Sequence, residues 1–250
     1  MPDLAIATLN DFVQSAQMVC SLSPTTPVIA DADTGFGGPA MVARTVTQYA
    51  RAGVAALHIE DQVQTKRCGH LMGKQVVSRE EFITRIRAAV IARDSIPGGS
   101  DFVIIGRTDS AQVLGMEEAI IRLKLAADAG ADVCFIEGVK TKKLLMETVA
   151  ALAPKPVLVN VISGGLTPSF TCKEAEDMGA KIISKYTPLL PFSPHNRRTR
   201  KRPKAYFSLS SLFTDFMCGR RSWHPCRDGV PKEDGHGFHK CARHGSEGVL

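Results

Sequence analysis

Residues 28–38 read VIADADTGFGG: an apolar run ending in two carboxylates, Asp31 and Asp33, with Gly35, Gly37 and Gly38 just behind them. An apolar run of strand length without polar alternation suits a parallel strand buried on both faces. Both acids sit inside it, and alternation along an extended strand points them the same way. The glycines let backbone approach a ligand closely. The same pattern recurs at residues 56–61, 102–108, 133–138, 156–161 and 181–186.

Amphipathic stretches fill the intervals. Val42, Val46, Tyr49 and Ala50 form one helical stripe, stopped by Gly53. Phe82, Ile83, Ile86, Ala89 and Val90 form another, and the Ser78/Glu81 pair predicts a capping box at its start. Ala119, Leu123, Ala126 and Ala127 form a third, ended by Gly130, and residues 174–178 predict a short fourth helix before Gly179. Strand–helix repetition predicts an α/β fold, either a (β/α)8 TIM-type barrel or an open sheet. Only six strands are visible, whereas a barrel closes with about eight. The longest interval, residues 62–101, includes a polar segment, 64–74, that reads as a long loop over the site.

The 250 residues suffice for one large barrel or two small domains. No apolar run reaches membrane-spanning length, and the first ten residues lack a secretory pattern. Seven cysteines, an odd number and widely spread, do not form a disulfide framework and suggest a reducing compartment, cytoplasm or mitochondrial matrix. Residues 193–250 carry 12 Lys and Arg against 5 Asp and Glu, leaving 19 against 20 in residues 1–192. The net charge of +6 therefore belongs to the tail and says little about what the barrel-like part binds. The expected division is a partial barrel domain over 1–192 and a basic, disordered tail over 193–250.

Polar side chains gather at the strand ends: Asp31 and Asp33, Glu60 and Asp61, Arg107 and Asp109, Glu137, and Asn160. In a barrel these ends share one mouth. Acids crowded there need a cation, and hard oxygen donors suit Mg²⁺ or Mn²⁺. For any one of them a helix cap or a surface role is the competing reading. Lys66, Arg67, Cys68, Gly69 and His70 follow in the loop. A thiol among cations and an imidazole is expected to exchange a proton near neutral pH. A structural cysteine beside a basic turn is the alternative.

The ordered series VIADADTGFGG, ALHIEDQ, KRCGH, IIGRTD, FIEG and LVN resembles the isocitrate lyase/phosphoenolpyruvate mutase superfamily. KRCGH is most similar to the form found in methylisocitrate lyases, dimethylmalate lyases and oxaloacetate hydrolases. The resemblance covers residues 2–192 and implies a Mg²⁺-dependent C–C lyase acting on a small carboxylic acid. It implies Asp33 as the direct metal ligand, with Asp31, Glu60 and Asp3 around the ion. Cys68 would protonate the nascent enolate, and Lys66, Gly69 and His70 would shape a loop that closes over the substrate. Arg107, Glu137 and Asn160 would hold substrate carboxylate or hydroxyl groups. The mutase branch usually lacks the cysteine, so its presence favours a lyase.

The same resemblance implies two further strands and a Ser/Gly-rich loop upstream of Met1, and long helices after the last strand, one exchanged between subunits of a homo-oligomer. The chain is therefore expected to be an incomplete barrel, with substrate binding and assembly affected. By the same resemblance Ile162 stands where oxaloacetate hydrolases carry Ser and methylisocitrate lyases Thr; the missing hydroxyl counts against either substrate and leaves a dimethylmalate-like or other branched 2-hydroxy diacid open. Competing readings are a phosphonomutase and an inactive remnant serving as a binding or structural protein. In the tail, Cys218, His224, Cys226, His236, His239, Cys241 and His244 fit no strong zinc pattern, and the RRTRKRPK run reads as a solvated linker rather than a nucleic-acid patch. No nucleic acid or membrane partner is expected.

Overall fold

The computed structural model describes residues 3–69, 72–97, 101–162 and 166–186 and the backbone of 214–215, all within Met1–Arg220, the first of two units of the chain. The tail's cysteines, histidines and basic run lie outside the described residues, as does His70.

Six strands run parallel in chain order: β1 (Ile29–Asp31), β2 (Ala56–Glu60), β3 (Val103–Thr108), β4 (Val133–Ile136), β5 (Val157–Ile162) and β6 (Ile182–Tyr186). They form a curled half-barrel, and a two-residue β7 (Thr214–Asp215) pairs antiparallel with β1. Each of the six parallel strands matches an apolar run read from the sequence. Helix α1 (Leu9–Leu22) precedes the sheet. The connections carry α2 (Pro39–Arg51), α3 (Arg79–Asp94), α4 (Met116–Asp128), α5 (Lys142–Leu152) and α6 (Cys172–Asp177).

Local chemistry explains the helix starts. Thr8 and Asp11 close a reciprocal capping box on α1, as Thr171 and Glu174 do on α6. Pro39 begins α2 directly after Gly38, where a missing N–H costs nothing. At α3 only half of the expected box forms. Ser78 accepts from the Glu81 amide, while the Glu81 carboxylate pairs with Arg85 at 2.6 Å, because a guanidinium one turn on is the stronger partner. Helices α1 and α5 were not singled out in the sequence.

Two-residue periodicity sorts the strand side chains. Leu57, Ile59, Ile104, Cys134, Ile136, Val157, Val159 and Val161 pack against the helices. Ile29, Ala56, Val103, Ile105, Val133, Phe135, Leu158 and Ile182 form a separate cluster on the opposite face. Counting on in twos along that second face gives Asp31, His58, Glu60, Arg107, Glu137, Asn160 and Ser184. Each row therefore starts apolar and turns polar, with Ile162 beyond Asn160 as the apolar exception, and the parallel register brings the polar side chains to one rim.

Phe82 is fully buried in the helix-side core. Phe82→Ala is expected to destabilise by about 3–5 kcal/mol through lost contact and residual cavity. A lower midpoint in urea unfolding at unchanged slope would show it.

Candidate active site

Asp31 ends β1, but Asp33 is not a strand residue. Its backbone is left-handed, with φ 46°, and its N–H donates to Asp31 Oδ1 at 2.8 Å. A non-glycine residue held there is strained and persists only when its surroundings fix it. The two acids therefore meet through a tight turn rather than through strand alternation. The buried Tyr49 hydroxyl donates to the Asp31 carbonyl at 2.6 Å, and His58 Nδ1 lies 3.4 Å from Asp31 Oδ1.

Arg107 rises from β3 at the centre. Its guanidinium is 3.1 Å from Glu60 Oε2, 3.8 Å from Asp31 Oδ2 and 3.8 Å from Glu137 Oε2, and its Nε donates to Asp109 at 3.0 Å. The Phe135 ring backs it, 5.2 Å from centroid to guanidinium carbon. Asn160 donates to Glu137 Oε2 at 3.4 Å.

The loop after β2 folds back over this rim. Its base is pinned by a Gln62–Val76 bridge and by backbone bonds from Val63 to Gln75 and from Val77 to Asp61. The Gln62 side chain bonds both backbone groups of Arg67, at 2.9 and 3.2 Å. Lys66 then reaches down among the acids, 2.5 Å from Asp33, 2.9 Å from Asp3 and 3.7 Å from Glu60. Gly69 lies directly on the site: a Cβ there would stand 2.5 Å from Arg107 Nη2 and 2.9 Å from Glu137 Cγ. Cys68, next to it, is half-buried.

Burial and mutual charge divide the acids. Burial raises the Asp31 carboxyl, but the charges of His58, Lys66 and Arg107 outweigh it and hold the group at about 2. Asp33 is pushed up to about 6 by burial and by Asp31 beside it. Glu60 is pushed well above its ordinary range, again chiefly by burial. Burial opposes the Lys66 ammonium, yet Glu60, Asp31 and Asp33 keep it protonated.

The donor set fits a hard divalent cation. Asp3, Asp33 and Glu60 supply carboxylate oxygens around one positive centre, the Lys66 ammonium, and neither buried oxygen of Glu60 is in hydrogen-bond geometry. Among the described residues no group of three or more His, Cys, Asp or Glu is already spaced for a metal. The acids are spread around the ammonium instead.

Asp3, Asp31, Asp33, Glu60, Lys66, Arg107, Glu137, Asn160 and Gly69 thus converge on one rim. Sequence reading passed over His58 and Lys74. A histidine between Leu57 and Ile59 in an apolar strand was a signal for the first. Nothing local marked the second.

Acids and an arginine thus gather at the carboxyl ends of the parallel strands of an α/β fold, under a lysine-bearing loop. The chain belongs to the phosphoenolpyruvate phosphomutase family, whose model matches residues 1–191. It is 44% identical over 202 residues to 2-methylisocitrate lyase of Salmonella typhimurium, covering 80% of this chain and 66% of that protein. It is 41% identical over 184 residues to 2,3-dimethylmalate lyase of Eubacterium barkeri, covering 72% and 61%. The structure of an oxaloacetate acetylhydrolase with 3,3-difluorooxalacetate matches with TM-score 0.72 and 53% identity, over 74% of this chain and 62% of the other. The chain spans less than two thirds of these relatives' own length.

The Asp33 value carries a stability consequence. A carboxyl raised in the fold favours folding while protonated, and that advantage is lost as pH rises from 3.8 through about 6. Asp31, lowered to about 2, stabilises fully above 3.8 and loses that stabilisation as pH falls through about 2, so it adds no slope in the higher range. Asp33→Asn is expected to shrink the fall in Tm between about pH 4 and about pH 7, measured without divalent cations. Superimposable Tm profiles for variant and parent would contradict this.

Proposed function

We propose that this chain carries the site of a Mg²⁺- or Mn²⁺-dependent C–C lyase acting on a small 2-hydroxy or 2-oxo di- or tricarboxylic acid such as methylisocitrate or dimethylmalate. Its six strands are, on this reading, part of a (β/α)8 barrel. The observation that carries the proposal is the placing of Arg107 amid buried acids, directly beneath Gly69, the residue that follows Cys68. The relatives named above, lyases for methylisocitrate and dimethylmalate, support the substrate class. Ile162, half-buried at the end of β5, offers an apolar wall and favours a branched substrate.

Asp33, with Asp31, Glu60 and Asp3 about it, would hold the ion in the space that the Lys66 ammonium fills. A divalent ion there would stabilise the negative charge that develops on an enolate. Arg107 binds a substrate carboxylate and adds a second fixed positive charge. Glu137 and Asn160, already joined to each other, orient a hydroxyl or carboxyl group. As a rim carboxylate takes the proton of the 2-hydroxyl, that oxygen becomes a carbonyl, the C–C bond breaks and its electron pair passes to the enolate of the leaving acid. Cys68 then delivers a proton to that carbon, and the closed loop keeps water from doing so first.

Purified protein incubated with a panel of 2-hydroxy diacids should release an oxoacid only when Mg²⁺ or Mn²⁺ is present. Cys68→Ser should lower kcat by about 10²- to 10⁴-fold. Full activity in that variant removes the thiol from the mechanism. A phosphonate product, or no cleavage of any acid, would overturn the lyase reading.

A further inference from the structure

Lys74 lies at the far end of the loop, with only 5% of its surface exposed. A lysine this buried needs partners. Its Nζ donates to the Gly69 carbonyl at 2.6 Å and to Asp109 Oδ1 at 2.7 Å. Asp109 in turn accepts from Arg107 Nε at 3.0 Å. One chain of hydrogen bonds therefore runs from the backbone beside Cys68, through the ammonium and a carboxylate, to the central guanidinium.

The two ends of this chain are held differently. Lys74 precedes Gln75 and Val76, which bond back to Val63 and Gln62, so it stands on the fixed arm of the loop. Gly69 belongs to the crest, and its backbone rests on Arg107 and Glu137 without a side chain between. Lys66 also ties the loop down, but to the acids that a divalent ion would claim. The partners of Lys74 are not among those acids, so its hold does not depend on whether an ion is bound.

We propose that Lys74 is a positioning residue: acting through the Gly69 carbonyl and Asp109, it latches the loop crest so that Cys68 is presented above Arg107. The contact stands on geometry alone, while the chemistry it serves rests on the lyase reading above. Raising the crest would break the charge-assisted hydrogen bond from Lys74 Nζ to the Gly69 carbonyl and leave the buried ammonium short of a partner.

The test compares the full chain with its Lys74→Met and Lys74→Arg variants. The readout is the rate of Cys68 alkylation by iodoacetamide relative to that of Cys172, an exposed thiol in the same molecule. The ratio should rise about tenfold in Lys74→Met, the factor expected for one lost charge-assisted bond, and return part-way in Lys74→Arg. In active enzyme kcat should fall with the same ranking, and KM should move less. An unchanged ratio in folded Lys74→Met, or a raised ratio with kcat intact, overturns the proposal. Should the Met variant not fold, Lys74→Gln, which keeps a donor for Gly69 but loses the charge, is read by the same two criteria. Should the parent chain cleave no acid, the lyase reading fails while the alkylation ratio still decides whether the latch exists.

Discussion

Like charges buried together are the constraint on which this structure turns. Asp31, Asp33 and Glu60 are nearly inaccessible to water and share one rim. Moving a carboxylate out of water costs several kcal/mol per ion, and the mutual repulsion adds to it. Lys66 and Arg107 supply the positive charge that offsets both. They come from different places: Arg107 from the rigid third strand, Lys66 from the loop. The position of the loop and the charge state of the acids are therefore one problem. Lifting the loop would expose or protonate the acids, and neutralising the acids would release the loop.

The rest of the fold holds that arrangement steady. The inner face of each strand begins with apolar side chains, so the polar ends stand on a packed floor rather than over a pore. Two buried arginines secure the base of the loop. Arg85 donates to the Glu60 and Gln62 carbonyls at 3.0 and 2.7 Å. Arg122 donates to the Val77 carbonyl at 2.8 Å and to Asp61 at 3.1 Å. Asp61 also binds the Thr108 hydroxyl and the Asp109 amide, joining the base of the loop to the end of β3. The loop thus has a rigid root and a crest held mainly by lysines.

Much of this was legible in the sequence, for a definite reason. Parallel strands buried on both faces leave an unmistakable apolar run, so all six appeared where expected. The same property hid which residues face inward, because alternation disappears when both faces are dry. Asp33 shows the limit: its proximity to Asp31 was foreseen, but a left-handed turn, not strand geometry, produces it. Helices α1 and α5 carry their apolar residues at least as regularly as α3 and α4, so their periodicity was a signal that the reading passed over. Lys74 was invisible because a lysine in a polar loop looks like a solvent-facing charge. Only the folded chain shows it buried against Asp109.

The order of residues in the loop now has a spatial meaning. Gln62 at the root bonds the backbone of Arg67 and so fixes where the chain turns. That leaves Lys66 directed down into the acids, while the exposed Arg67 side chain turns outward to the Met72 carbonyl. Three residues after Lys66 the backbone must touch Arg107 and Glu137, and only glycine leaves room for that approach. Cys68 is confined to the single position between the outward arginine and the contacting glycine. A side chain there is half-buried, one residue from the glycine whose backbone lies on Arg107 and Glu137. The reach of Lys66 and the missing Cβ of Gly69 therefore set where the thiol sits. Exchanging Cys68 with either neighbour would lose the approach to Arg107 or place the sulfur on the outer surface.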